Sequence, residues 1–125
     1  MNNQDIKQKM LDSIDQARKA GYTLVQGDWG DERMKCACAI GCVYVAANQT
    51  INYHYGQASA LLGVDEGWVS SFINGFDQIG EAEYARDKQA WSLGDEMRLL
   101  THPIDYQAFV DSMDEDEDGE DYENT

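Results

Sequence analysis

The run CACAIGCVYVAA, Cys36 to Ala47, holds 12 residues without a charge. It limits the fold more than any other stretch. Twelve residues fall well short of the roughly 20 that cross a bilayer as a helix, so no membrane association is expected from it. A segment that is apolar on every side must instead be enclosed by other elements. The pattern predicts a buried helix over 34–48 at the centre of one core. A chain of 125 residues is long enough to supply that core without staples, and at 42% hydrophobic it is expected to fold.

The flanking segments supply the enclosure. Ile6, Met10, Ile14 and Ala17 recur on one face of a predicted helix over 3–20, with Asn2 or Asn3 able to cap it and Gly21 able to end it. YTLVQGDW, residues 22–29, is β-prone and ends in turn chemistry. Residues 54–63 predict a helix stopped by Gly63. Asp65 then marks an N-cap, and Trp68, Val69, Phe72 and Ile73 predict the inner face of the helix that follows, ended by Gly75. Residues 81–100 predict a longer helix with Tyr84, Trp91 and Leu99 or Leu100 inward and a weak point at Gly94. Pro103 suits the first turn of a last helix over 103–113, with Tyr106, Phe109, Val110 and Met113 inward. The expected class is mainly α: a compact single domain of five to six helices over 1–113, with at most one short β element.

Charge divides the chain unevenly. The last 15 residues, DSMDEDEDGEDYENT, hold 9 acidic residues and no basic one, while the other 110 hold 15 acidic against 9 basic, a balance of −6 within a total of −15. Residues 114–125 are read as a flexible acidic tail. Direct binding to nucleic acid is disfavoured, because phosphate contacts need Lys and Arg; a basic protein partner is favoured. Asp114, Asp116, Asp118 and Gly119 match positions 1, 3, 5 and 6 of a calcium loop. The match then fails, with Asp121 at the usual hydrophobic position and Thr125 in place of the bidentate Glu. The start, MNNQDIKQKML, is polar and has no apolar signal core, so a cytoplasmic location with reduced thiols is expected.

Three cysteines fall within eight residues, at 36, 38 and 42. On a helix Cys38 and Cys42 share a face and Cys36 points elsewhere. A closed zinc site needs four ligands in paired spacing, and no redox C-x-x-C is present. His54 and His102 stand alone, without a partner spacing for a dyad. The cysteines are therefore read as small core residues, and no catalytic residue, metal or cofactor is assigned. Trp68 and Trp91 read as core anchors. Trp29, flanked by Asp28 and Asp31, reads instead as a recognition residue.

Several short stretches share an order: Gly21-Tyr22 at the end of the first helix, then Gln26-Gly27, Cys38-Ala39-Ile40-Gly41, Leu62-Gly63, and Asn74-Gly75-Phe76-Asp77. Over residues 10–100 this order resembles a family of small uncharacterised proteins found in bacteria and phages. The resemblance implies a small helical fold and carries no activity or site residues with it.

The function expected from these readings is that of a non-enzymatic acidic interaction protein of phage or mobile-element type. It would bind a basic, nucleic-acid-binding protein by charge mimicry, as an inhibitor in the sharpest form. The contact residues would be Asp114, Glu115, Asp116, Glu117, Asp118, Glu120, Asp121 and Glu123 of the tail, with Trp29, Asp28 and Asp31 of the body. Two alternatives stand beside it. One is a small-ligand or metal-dependent protein or enzyme using the Cys36–Cys42 helix and His54. The other is an accessory protein whose tail only keeps it soluble.

Overall fold

Helix α1 (Asn3–Lys19) opens the fold in the computed structural model of the chain, which describes residues 2–113. Asn2 caps it by accepting from the Asp5 amide, and Ile6, Met10, Ile14 and Ala17 are all buried, as their spacing requires. Strand β1 (Thr23–Gln26) follows, then β2 (Gly30–Asp31) and β3 (Cys36–Ala37). Helices α2 (Ala39–Ala46), α3 (Tyr55–Leu62), α4 (Glu66–Phe76) and α5 (Lys88–Thr101) come next, with a single 3-10 turn (Ala82–Tyr84) before α5. Strand β4 (Ile104–Asp105) leads into a further helix, α6, over 106–113. The protein is mainly α, a single domain around one core, and no helix among the described residues is long and apolar enough to cross a membrane.

The β content exceeds the one short element expected. The strands lie in the order β2-β3-β1-β4, with β1 parallel to both neighbours. Residues 34–38 are accordingly not helical. The main chains of Cys36 and Ala37 pair with Thr23 and Leu24 on one side and with Asp31 and Gly30 on the other. Helix α2 begins only after Cys38, whose thiol accepts from the Gly41 amide as the N-cap. It is short, and its residues Ala39 to Tyr44 are buried, which places it centrally as a helix apolar all round must be.

Two other segments differ from expectation. Helix α5 begins at Lys88 rather than near 81, because Asp87 caps it from the Ala90 amide while its own amide donates to Ser71. Tyr84 is left 81% exposed, and Leu99 and Leu100 also face out. The last helix starts after the proline-led strand, where Asp105 accepts from the Ala108 amide. Its expected inner residues, Tyr106, Phe109, Val110 and Met113, are the half-buried ones.

Helix α4 has the predicted cap, Asp65 accepting from the Trp68 amide, and the predicted buried face. It runs through Gly75, which does not end it. Gly75 instead lets α5 approach. A Cβ there would stand 1.9 Å from the Trp91 carbonyl oxygen, and one on Gly94 would stand 2.1 Å from that of Phe72. Gly94 is thus the contact between the two helices and not a weak point in α5. Trp68, Phe72 and Phe76 stack in succession along α4, and each such buried ring contributes about 1.5–3 kcal/mol.

Candidate functional site

The parallel pairing sends the C-terminal ends of β1, β3 and β4 to one edge of the sheet. In open sheets with parallel strands, ligands are bound in the crevice at that edge. Here it gathers Gly27-Asp28-Trp29 after β1, Cys38 after β3 and Tyr106 after β4. The end of α4 is tied to the same edge twice. The Gln26 side-chain amide donates to the Phe76 carbonyl at 2.8 Å, and the Gly27 amide donates to Asp77 Oδ1 at 2.9 Å.

Trp29 sits at the centre. Its carbonyl accepts from the Cys38 amide at 3.0 Å, and the close approach of α2 is possible because residue 41 is Gly: a Cβ would lie 2.2 Å from that oxygen. The indole packs edge-on against Tyr44 and Tyr55 and tilted against Tyr53, with centroids 5.5–6.1 Å apart. Read from sequence as a recognition residue, Trp29 is in fact only 8% exposed. The aromatic surface open at this edge belongs to Tyr53 and Tyr55, which cover it.

Tyr53 has φ +60°. Asn48, Gln78 and His102 share the left-handed region but follow helix ends, and Lys35 shares it in the turn between β2 and β3, both places where that conformation is common. A tyrosine outside such a position is strained by about 1–3 kcal/mol and persists only where its surroundings hold it. The holding contacts are the Trp29 ring and two acceptors on its hydroxyl, Gly30 O at 2.7 Å and Asp28 Oδ2 at 3.1 Å. The loop carrying Tyr53 is pinned further by the Ile51 amide, which donates to Glu32.

Around Asp28 and Asp77 the charge is negative. Asp28 accepts only from neutral donors, the Gly30 amide and the Tyr53 hydroxyl, and Asp77 only from the Gly27 amide, among the described residues. Burial pushes the Asp77 carboxyl above its usual range, and the charge of Asp28 adds to the effect. Burial and then the Asp28 carboxylate hold the Tyr53 phenol protonated well past its usual range; Tyr106 is raised for the same reasons. Asp31 differs. The Arg33 amide holds it below the usual carboxylate range, and the Arg33 guanidinium stands 3.6 Å away.

Sequence reading placed Asp28, Trp29 and Asp31 together; Asp28 and Trp29 do lie in the loop after β1, whereas Asp31 lies in β2 and pairs with Cys36. Sequence reading missed Tyr53, Asp77 and Tyr106, which arrive from three distant segments that no spacing rule connects. Asp114, Glu115, Asp116, Glu117, Asp118, Glu120, Asp121 and Glu123, expected to bind a partner, lie outside the described residues.

The three cysteines do not share a helix. Cys36 is in β3, Cys38 caps α2 and Cys42 lies within it, all buried and free. Burial raises each thiol, Cys38 to about 12. The thiolate that nucleophilic chemistry needs is therefore scarce at neutral pH. His54 is engaged as the cap of α3, its Nδ1 accepting from the Gln57 amide. No group of three or more His, Cys, Asp or Glu among the described residues is arranged to hold a metal ion. Comparison of the chain with protein-family models, curated proteins and solved structures gave no match.

Proposed function

We propose that this chain is an acidic interaction protein that binds a basic segment of a nucleic-acid-binding protein, with the Asp28 edge as the contact on its folded body. The observation that carries the reading is the pair Asp28 and Asp77, two carboxylates at one edge that accept only from neutral donors among the described residues. An arginine or lysine entering there relieves their mutual repulsion, and a guanidinium can also stack on the exposed Tyr53 and Tyr55 rings. The acidic run at 114–123 adds long-range attraction, which speeds encounter with a basic surface. A partner so occupied has its nucleic-acid groove filled by carboxylates in place of phosphates, which is the inhibitory form of the proposal for a phage or mobile-element protein.

The test is calorimetric titration of the full chain with an arginine-rich peptide over a salt series. Affinity is expected to fall steeply with salt and to drop in Asp28→Asn and Asp77→Asn. Binding that persists unchanged into molar salt, or that ignores both substitutions and depends only on the acids of 114–123, would remove this edge from the reading.

A further inference from the structure

A second feature lies away from the sheet edge. Helix α1 passes α2 and the end of α3 and leaves an open groove of about 500 Å³, within the size range of small-molecule sites. Its floor is Val43 and Ala46 of α2, Ala47 just past its end and Leu61 of α3, and its polar wall is a face of α1 that includes Asp5, Gln8, Lys9 and Asp12.

Asp5 and Asp12 are seven residues apart on α1. Seven residues make nearly two turns, so the two carboxylates lie on one face about 10.5 Å apart along the axis. Neither makes an ion pair among the described residues; Asp12 accepts from the side-chain amide of Gln8 at 3.0 Å. Lys9 stands between them and reaches across the groove, its ammonium donating to the Leu61 carbonyl near the end of α3. The groove is thus an apolar trough with one negative charge toward each end and one positive charge in the middle.

We propose that this groove binds a linear diammonium compound, with an ammonium on each of Asp5 and Asp12 and the methylene chain laid along Val43, Ala46, Ala47 and Leu61. An extended chain advances about 1.25 Å per bond, given tetrahedral bonds of about 1.5 Å, so about eight carbons match the separation. A triamine of equal length fits less well, because its central ammonium meets that of Lys9.

The test titrates the full chain with octamethylenediamine, with tetramethylenediamine and octylamine as comparators, followed by amide chemical shifts and calorimetry. Octamethylenediamine is expected to shift the amides of Ala46, Ala47 and Leu61 and to bind more tightly than either comparator. Asp5→Asn and Asp12→Asn should each weaken it by about threefold, the scale of an exposed ion pair. Lys9→Met should strengthen it, an opposite sign that loss of folding does not produce. Equal binding of the short diamine, shifts confined to residues outside the groove such as the acidic run 114–123, or indifference to all three substitutions would overturn the proposal.

Discussion

The Asp77 carboxylate, at the end of α4, accepts a hydrogen bond from the amide of Gly27, which follows β1, at 2.9 Å. The bond needs an acceptor but not a charge. Burial and Asp28 raise the Asp77 carboxyl above its ordinary value of 3.8, so the folded state holds the proton more tightly than the unfolded chain does. The associated stability is complete below the unfolded value and is lost as pH rises through the folded one. Asp77→Asn keeps the acceptor and removes the charge. Its melting temperature is expected to exceed that of the parent at pH 7 by up to about 3 °C, and the gap should close toward pH 3. Thermal melts across that range measure it, and a variant less stable at pH 7 would mean that the charged hydrogen bond outweighs burial.

Gly75 and Gly94 set the spacing of α4 and α5. In an ordinary helix Gly→Ala gains up to about 1 kcal/mol. Here each new methyl group meets backbone at 1.9 or 2.1 Å, and the helices cannot part without disturbing the core around the rings stacked along α4. Gly75→Ala and Gly94→Ala are each expected to cost about 3 kcal/mol, or about 10 °C in melting temperature. Equilibrium denaturation of the two variants checks this, and a stabilised Gly75→Ala protein would show that the helices are less closely packed.

The cysteines are expected to resist modification in the folded protein. All three are buried, and Cys38 is pushed up to about 12. Mass spectrometry after iodoacetamide treatment at neutral pH should find them unmodified under native conditions and labelled about a hundredfold faster in denaturant. Fast stoichiometric labelling of native Cys38 would reopen the chemistry of that position.

Tyr53→Phe removes the hydroxyl from Asp28 and Gly30 but keeps the ring on Trp29. The expected loss is about 1 kcal/mol, the usual net value of one hydrogen bond. Because that bond helps hold a left-handed tyrosine, the loop over 48–54 should also become more open to proteolysis. Limited digestion of the variant and parent compares the two, and identical patterns would assign the strain to the ring contact alone.

The helical plan was legible because its signals are local. The face of Ile6, Met10 and Ile14, the cap at Asp65 and the stop at Gly63 each depend on residues within a few positions. The sheet was not, because β2, β3 and β4 are two residues long and each is defined only by its neighbours. A two-residue strand has no period to read, so Cys36 and Ala37 passed for the start of a helix. The candidate site was half-visible for the same reason. Asp28 and Asp31 flank a tryptophan in sequence, whereas Tyr53, Asp77 and Tyr106 join them only once the chain has closed.

The pairing of β1 with β4 joins Val25 to Ile104. A ribosome makes the first of these long before the second. Throughout that interval one side of β1 has no neighbour, and an open strand edge is the surface through which nascent chains associate wrongly. The order of synthesis thus sets a period of exposure, which ends only when Ile104 and Asp105 arrive to close the sheet.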